Sequence, residues 1–190
     1  FRCVSDISYV IRCSYLIESA SATESNNNTD KTKNLDLKCN EIIKKNLNEC
    51  SLIRAFTSEK DENMINVNDK GKYLLSYDPL DGLSNIKSNI TVRTIFCIFE
   101  YNNNTIINGY NIVMSGYSLY GGSTQLVICK YGKVNMYNLN PQNDNWMLLN
   151  NELLIEDMGS IYSINESNKY IYNSKINNYI DYLIKKKYTT

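Results

Sequence analysis

The stretch "SYDPLDGLSNI", residues 76–86, carries the residue types with the clearest chemical potential in this chain. Asp78 and Asp81 stand three positions apart around Pro79, one of only two prolines, and Gly82 follows directly. Proline fixes one backbone dihedral and forces the chain to turn after a strand, so both carboxylates can converge on one point. Two carboxylates that close repel each other unless a cation lies between them or one of them is protonated. The spacing therefore indicates a cation site.

The residues after the two aspartates add the means to bind an anion. Gly82 lets the backbone approach a ligand closely, and the amides from Gly82 to Asn85 can point at an anion. Carboxylates for a hard cation beside amides for an anion describe a metal–phosphate site, with magnesium as the natural ion. Asp, Pro, Gly, Ser and Asn also form turns, so the composition of the stretch alone favours an ordinary turn between strands. Both interpretations stay open on these residues.

Composition and charge narrow the class of protein. The chain has 190 residues, enough for one sizeable domain, and its 20 basic and 20 acidic side chains cancel, which argues against nucleic-acid or membrane-surface partners. The absence of histidine argues against a zinc site or a His-based catalytic triad. Six cysteines without a C-x-x-C pair are typical of reduced core thiols. With no long apolar run and no signal peptide, these features predict a cytoplasmic location.

The elements that must position these residues alternate between helices and strands. Hydrophobic spacing predicts helices over residues 6–19 and 36–49, separated by a mobile loop over 19–30. The segments "SLIRAFTSE", "KYLLSYD" and "VRTIFCIFE" read as strands, and the last is apolar enough to be buried on both faces. An Asn-rich loop tip follows at 102–104.

The second half of the chain is richer in short strands. "TQLVICKYGKVNMYNL" predicts a hairpin that turns at Tyr131-Gly132, and "MLLNNELLI" and "GSIYSI" predict further short strands. Ser174 can cap a last helix, which carries Ile176, Ile180, Leu183 and Ile184 and ends in a lysine run. Helices and strands mixed in this way predict a layered fold of α with β.

The longer segment "GKYLLSYDPLDGLSNI" resembles the signature G-K-Y-V-V-x-F-D-P-L-D-G-S-S-N-I of the class I fructose-1,6-bisphosphatases. "RTIFCIFE" resembles that family's G-T-I-F-G-I-Y segment, and "SGYSLYGGSTQLVI", "GSIYSINE" and "INNYIDYLIKKKY" resemble later segments in the same order. The resemblance runs through essentially all 190 residues. It implies the N-terminal domain of the sugar phosphatase fold, an α+β, layered α/β sandwich with a mixed sheet flanked by helices.

The resemblance also implies roles for individual residues. The implied metal ligands are Glu59, Asp78, Asp81 and the backbone carbonyl of Leu80. Asp36 would help to hold the attacking water, and Asp30, on a mobile loop, would join the metals during catalysis, so that Asp30, Asp36 and Glu59 are the catalytic candidates. The residues implied in phosphate binding are Asp81, Gly82, Leu83 and Ser84 for the phosphate that is cleaved and Asn165 for the distal phosphate of the sugar.

The implied reaction is the hydrolysis of the 1-phosphate of fructose 1,6-bisphosphate, a step of gluconeogenesis, with Mg²⁺ or Mn²⁺ as the cofactor. The family is homotetrameric, and neither nucleic acid nor a membrane is an expected partner. Sedoheptulose bisphosphate or an inositol phosphate is an alternative substrate. A relative that keeps the fold and binds metal or phosphate without turnover is a second alternative.

Several positions depart from the family pattern. Lys60 stands where the family has a glutamate associated with activation of water, which reverses the charge beside the predicted metal site. Leu83 replaces a serine that hydrogen-bonds the phosphate, Lys87 replaces an acidic residue, and Asn168 replaces a tyrosine that contacts the distal phosphate.

The regulatory and C-terminal parts of the family pattern are also incomplete in this chain. Lys72 and Tyr73 match two residues of the family's AMP site, but Glu100 replaces its arginine, so the resemblance gives no support for AMP regulation. The chain begins with Phe1 and ends at Thr190, where the family continues into a second domain. We therefore expect residues 1–190 to be the N-terminal domain of a longer protein.

Overall fold

The computed structural model describes residues 1–20, 28–101 and 108–186, with side chains described in these ranges except at 15–20 and 28–32. The predicted loop tip at 102–104 lies outside the described residues, as does most of the predicted loop over 19–30. The chain divides into two compact units, Phe1–Leu153 and Leu154–Thr190. The assignment of 1–190 to one domain stays a prediction.

The first unit is built on one eight-stranded sheet with the strand order β2-β1-β3-β4-β5-β6-β7-β8. The strands are β1 (Ile53–Ser58), β2 (Ile65–Asn66), β3 (Tyr73–Asp81), β4 (Val92–Glu100), β5 (Ile112–Tyr120), β6 (Thr124–Lys130), β7 (Lys133–Leu139) and β8 (Trp146–Asn150). β1 and β3 are parallel, and every other neighbouring pair is antiparallel. A mixed sheet flanked by helices confirms the predicted fold class.

Two long helices, α1 (Arg2–Ala20) and α2 (Asn28–Asn48), bury apolar side chains together with one face of this sheet. Their buried positions recur at helical spacing, as in Ile7 and Ile11 of α1 and Leu35, Cys39 and Ile43 of α2. On the strands, the buried cluster includes Phe56, Leu75, Tyr77, Leu80 and Val92. Burying one large apolar side chain stabilises the fold by about 1.5–3 kcal/mol, so this interface holds the sheet and helices together.

Helix α2 begins earlier than predicted, at Asn28 and not at residue 36. The expectation of a loop through residue 30 was therefore wrong at its C-terminal end. Asn, Thr and Asp, the residue types at 28–30, are polar and typical of loops, but they are equally typical of the first turn of a helix, where they suit the free amides and the dipole. A run of such residues therefore does not distinguish a loop from the first turn of a helix.

Strand β4 has the predicted bounds, but the expectation that it is buried on both faces was wrong. Val92 and Thr94 are buried, whereas Ile95, on the opposite face, is 41% exposed. α1 and α2 cover only the face that carries Val92 and Thr94, and apolar residues on the other face line an open concave surface. An apolar run therefore indicated a strand without telling which of its faces is covered.

The predicted hairpin between β6 and β7 is confirmed. Tyr131 (φ 52°) and Gly132 (φ 75°) both adopt left-handed backbone conformations, as a two-residue type I′ turn requires. The strand predicted in "GSIYSI" is not formed, since only Ile161 makes a bridge, and the strand in "MLLNNELLI" ends at Asn150.

The second unit contains a short 3-10 turn (Glu166–Asn168) and the amphipathic helix α4 (Ser174–Lys185), which carries the apolar residues predicted for the last helix. Its cap is Asn173 and not Ser174, because the Asn173 side chain accepts a hydrogen bond from the Ile176 amide at 3.0 Å. An asparagine is at least as good a cap as serine, so the structure shifts the helix start by one residue.

All six cysteines are free thiols, as predicted, although only Cys39 is fully buried. Burial raises the pKa of the Cys39 thiol to about 12, so this group is unreactive at neutral pH. Among the described residues, no helix is both long enough and apolar enough to span a membrane.

Asn40 joins α2 to the two parallel strands. Its side-chain oxygen accepts hydrogen bonds from the Ser58 hydroxyl at 3.0 Å and from the Tyr77 hydroxyl at 2.8 Å, and all three residues are buried. Ser58 and Tyr77 are neighbours in the β1–β3 register, and each directly precedes an acidic residue, Glu59 or Asp78. Asn40 therefore holds the last paired residues of β1 and β3 at a fixed distance from α2.

We expect Asn40→Ala to lower the free energy of unfolding by about 2–4 kcal/mol, because it leaves two buried hydroxyl groups without an acceptor and opens a small cavity. Denaturant unfolding followed by circular dichroism measures this change. Asn34→Ala, on the exposed side of the same helix, is the matched control and should change stability by less than about 0.5 kcal/mol. Equal losses in the two variants would contradict the role given to Asn40.

Candidate metal and phosphate site

The parallel strands β1 and β3 bring Glu59 and Asp78 together at one edge of the sheet. Ser58 pairs with Tyr77, and the Glu59 amide donates a hydrogen bond to the Tyr77 carbonyl at 3.1 Å. β1 and β3 run in the same direction, and the pairing between them ends at Ser58 and Tyr77. The next residues, Glu59 and Asp78, therefore lie side by side, although β3 itself continues to Asp81. The resemblance named both residues as metal ligands, and the structure shows that they meet although they lie 19 positions apart in the sequence.

The backbone corner after Asp78 is fixed by hydrogen bonds on both sides. The Leu80 amide donates to Asp78 Oδ1 at 3.2 Å, and the Thr94 hydroxyl donates to the Pro79 carbonyl at 2.8 Å. Gly82 has φ 88°, a conformation that disfavours residues with a side chain, and it starts the one-turn helix α3 (Leu83–Ile86). The expectation that the chain turns at Pro79 was wrong, because β3 continues through Pro79 to Asp81 with a shift of its register, and the strand ends only before Gly82.

Asp78 and Glu59 share one electrostatic environment. Partial burial and the nearby Glu59 carboxylate raise the pKa of Asp78 to about 6. The pKa of Glu59 is lowered, chiefly by the hydrogen bond from the Lys60 ammonium and further by Asp78, which is close enough to share a proton with it. Asp81 adds to the negative potential at both groups. This pair is therefore short of positive charge at neutral pH.

Lys60 points into the same cluster from the other side. Its Nζ lies 2.8 Å from Asp36 Oδ2 and 2.9 Å from Glu59 Oε2, so it bridges a carboxylate of α2 and one that follows β1. Burial alone would lower the pKa of the Lys60 ammonium, but the two ion pairs outweigh it and raise that pKa to about 12. Lys60 is therefore positively charged throughout the physiological range.

Asp36 is the most deeply buried acid of the cluster, at 4% exposure. Burial raises its pKa, and the Lys60 ammonium opposes that shift. Its Oδ1 atom has no hydrogen-bond partner among the described residues. A buried carboxylate oxygen without a partner is costly, so this atom is a candidate ligand for a cation or a water molecule.

Arg93 is a site residue that the sequence analysis did not single out. In the antiparallel register of β3 and β4 it lies directly opposite Asp81, and its guanidinium forms an ion pair with the Asp81 carboxylate. The available signal was its place in "RTIFCIFE", where the family segment begins with glycine. Arg93 and Asp81 are 54% and 33% exposed, so solvent screens this pair and it is easily opened.

The remaining candidates are less closely grouped. Ser84 is exposed, and Leu83 packs against the core cluster, while the first amides of α3 have no partner within the helix. Asp30 lies in the first turn of α2, but its side chain is outside the described part of the structure. In the second unit, the Asn165 side chain accepts a hydrogen bond from the Ser167 amide at 3.2 Å. The phosphate-binding and catalytic roles of these residues stay predictions.

Two further groups lie apart from this cluster. Asp61, two positions after Glu59, forms an ion pair with Lys44 at 2.8 Å and does not contact Lys60. Tyr73, which matches a residue of the family's AMP site, pairs at the opposite end of β3 with Glu100, which replaces that site's arginine.

The fit of a metal ion can be judged from the oxygen atoms present. Within residues 1–14, 33–101 and 108–186, whose side chains the structure describes, no three acidic or thiol groups come close enough to form a metal cage. Glu59 and Asp78 nevertheless offer hard oxygen ligands with a deficit of positive charge, and Asp36 Oδ1 lacks a partner. Oxygen ligands of this kind suit Mg²⁺, which keeps several waters and needs only one or two carboxylates. The residues fit a partly hydrated divalent ion.

An open pocket with a volume of about 790 Å³ adjoins the carboxylates. It lies on the sheet face opposite the helices, with Glu59 and Asp78 at one edge, and is lined further along by Ile95, Tyr117 and Val127. A largely apolar wall beside charged groups reduces their hydration and strengthens their electrostatic interactions.

Comparisons with known proteins agree on one family. A family model described as "Fructose-1-6-bisphosphatase, N-terminal domain" matches residues 3–151. The class 1 fructose-1,6-bisphosphatase of Saccharophagus degradans is 34% identical over 153 residues, which cover 76% of this chain and 48% of that protein. Fructose-1,6-bisphosphatase 1 of Bos taurus is 34% identical over 140 residues, covering 69% of this chain and 41% of that protein.

The structural comparison gives the same result over a longer part of the chain. The crystal structure of Leishmania major fructose-1,6-bisphosphatase in holo form matches with a TM-score of 0.81 and 29% identity, covering 95% of this chain and 57% of that chain. This chain therefore spans about half the length of the curated relatives it matches. All candidate site residues except Asn165 lie within the range that the family model covers.

We expect the metal-free protein to lose stability as the pH rises from about 4 to about 6. The pKa of Asp78 is about 6 in the folded chain against an ordinary value of 3.8. In this window the folded state therefore keeps a proton that the unfolded state has released, and raising the pH favours unfolding. The difference between these two pKa values corresponds to at most about 3 kcal/mol in the free energy of unfolding. Denaturant unfolding in a chelator at several pH values measures the effect.

Asp78→Asn should remove this fall in stability, because the amide stays neutral at every pH. Asp69→Asn is the control, since the Asp69 side chain is 96% exposed and its replacement should leave the pH profile unchanged. Identical profiles for Asp78→Asn and the unmodified chain would contradict the assignment.

Proposed function

The chain belongs to the fructose-1,6-bisphosphatase family, and on that premise we propose that its carboxylate cluster serves the magnesium-dependent hydrolysis of a sugar phosphate, the 1-phosphate of fructose 1,6-bisphosphate. The observation that carries the proposal is the meeting of Glu59 and Asp78, from two segments of the sequence, beside the Asp81 corner. An acid pair short of positive charge is what a divalent ion and a phosphate ester require of a protein.

In this proposal each group has a separate task. Glu59, Asp78, Asp81 and the Leu80 carbonyl hold the divalent ion, either Mg²⁺ or Mn²⁺. When bound, the ion neutralises phosphoryl oxygens, lowers the pKa of a water molecule and stabilises the leaving alkoxide. The protein contributes position and charge more than covalent chemistry.

The substrate is bound by other residues. The Gly82 and Leu83 amides and the Ser84 hydroxyl hold the phosphate that is cleaved, and Asn165 holds the distal phosphate. Asp36 orients the attacking water, and Asp30 joins the ion from the N-terminal turn of α2. Family membership also supports a homotetramer in the cytoplasm and leaves sedoheptulose bisphosphate as an alternative substrate.

Glu59→Gln should abolish magnesium-dependent release of phosphate from fructose 1,6-bisphosphate, lowering the rate by about 10²-fold or more, because it removes a charged ligand of the ion. Phosphate release is measured on this chain and on a chimera that continues from Thr190 into the C-terminal half of the Saccharophagus relative.

Glu62→Gln is the matched control, because Glu62 is an exposed glutamate three positions away. Its replacement should leave the rate unchanged. Failure of both the chain and the chimera to release phosphate in the presence of Mg²⁺ would count against the proposal.

A second candidate function is that of a relative which binds ions or phosphate with little turnover. The observation that favours it is the Lys60 ammonium between Asp36 and Glu59, at the position where the family has a glutamate. A general base contributes typically about 10²–10⁴-fold to the rate, so an ammonium in its place removes most of the activity.

If the second candidate is correct, Lys60→Glu in the chimera should raise the rate of phosphate release by about 10²-fold or more, since it restores a carboxylate beside the attacking water. Steady-state kinetics with fructose 1,6-bisphosphate measure this. A rate that is already high in the unmodified chimera, and unaltered by the substitution, would rule out the second candidate.

A further inference from the structure

Two cationic side chains of the chain itself already lie in the carboxylate cluster. Lys60 contacts both Asp36 and Glu59, and Arg93 contacts Asp81. Among the four carboxyl groups, only Asp78 has no basic partner within the described residues. The cluster is therefore compensated unevenly, with its deficit of positive charge at the Glu59–Asp78 end.

Lys60 lies where an ion that bridges Asp36 and Glu59 would have to bind. Its ammonium is within hydrogen-bond distance of carboxylates that come from α2 and from the end of β1. Mg²⁺ binds oxygen atoms at about 2.0–2.1 Å, closer than the 2.8 and 2.9 Å that separate the Lys60 Nζ from Asp36 and Glu59. The ammonium and a metal ion cannot both lie between these two carboxylates.

Burial makes the Lys60 position more than a surface ion pair. The Lys60 and Asp36 side chains are 22% and 6% exposed, whereas Arg93 and Asp81 are 54% and 33% exposed. Removing one partner of a buried pair leaves an uncompensated charge, but an exposed pair opens at little cost. Arg93 contacts Asp81 only through Oδ2, so an ion can bind the other carboxylate oxygen while Arg93 still compensates the charge. Lys60, in contrast, cannot leave Asp36.

Counting charges gives the number of ions that the cluster needs. Asp36, Glu59, Asp78 and Asp81 carry four negative charges when ionised, and Lys60 and Arg93 leave two of these uncompensated. One divalent ion neutralises the remainder. A second divalent ion would make the cluster positively charged and would have to displace the Lys60 ammonium, which like-charge repulsion disfavours.

We infer that Lys60 is a built-in cation that takes the place of one divalent ion, so that the cluster binds one such ion, at Glu59, Asp78 and Asp81, and not two. This inference rests on the proposed function for the identity of the metal ligands. It concerns the number of ions bound, whatever the rate of hydrolysis.

The test is the number of Mn²⁺ ions bound per chain, measured by equilibrium dialysis with the free ion counted by electron paramagnetic resonance. The unmodified chain and Lys60→Arg, which keeps the charge, should each bind one ion. Lys60→Met should bind two ions, and its first ion should bind about tenfold more tightly, because a neighbouring positive charge has been removed.

Lys44→Met is the matched control. Lys44 pairs with Asp61 at 2.8 Å, both side chains are 21% exposed, and neither contacts Asp36 or Glu59. Its replacement removes an equally buried lysine of the same region and should leave one ion bound. Two ions in the unmodified chain, or equal numbers in Lys60→Met and Lys44→Met, would overturn the inference.

Lys60→Met also removes the partner of a buried aspartate and can impair folding. If it is unfolded without metal, thermal denaturation should show that Mn²⁺ restores folding of Lys60→Met and shifts the melting temperature of Lys44→Met no more than that of the unmodified chain. A Lys60→Met variant that no Mn²⁺ concentration refolds would overturn the inference. Absence of hydrolysis alone would count against the proposed function and leave the ion count unaffected.

Discussion

Repulsion between carboxylates at one edge of the sheet is the constraint on which the structure of the site depends. The parallel pairing of β1 with β3 leaves no freedom here, because the register that joins Ser58 to Tyr77 also brings Glu59 beside Asp78. Hydrogen bonds to the Asn40 side chain tie Ser58 and Tyr77 to α2, the helix that also carries Asp36. The fold thus brings like charges together and must supply their compensation.

The chain supplies this compensation in two unequal ways. The exposed Arg93–Asp81 pair contributes about 0–1 kcal/mol to the free energy of unfolding. It can therefore open without a significant loss of stability. The buried Lys60–Asp36 contact belongs to the fold, since breaking such a pair costs about 3–5 kcal/mol. Asp78 has no basic partner among the described residues, and burial and the Glu59 charge therefore raise its pKa.

The architecture was largely readable from sequence, and the pairing inside the site was not. Apolar runs predicted β1, β3 and β4, and Tyr131-Gly132 predicted the hairpin, because these are local consequences of residue type and turn conformation. The open face of β4 depends on where α1 and α2 pack, which no strand pattern encodes. Lys60 was recognised as a departure from the family, but its contact with Asp36 required the packing of α2 on the sheet.

The Arg93–Asp81 pair illustrates the same limit at shorter range. The two residues face each other only because a bulge between Asp78 and Asp81 shifts the β3–β4 register. A shift of one residue turns a side chain to the other face of a sheet, and the sequence of β3 does not show where the bulge falls. Charge complementarity across strands was therefore visible only after the register was known.

The backbone at position 60 explains how one residue can change the chemistry and leave the fold intact. The Lys60 amide donates to the Ser58 hydroxyl at 3.2 Å, and Ser58 is itself held by Asn40. These contacts involve the main chain at residue 60, so they direct any side chain there toward the gap between Asp36 and Glu59. A carboxylate at this position would add negative charge that only external cations could compensate, whereas the ammonium compensates it from within. Under the proposed function, the same scaffold yields either a site that depends on several metal ions or one that is partly neutralised by its own lysine, and the sign of the charge at position 60 decides between them.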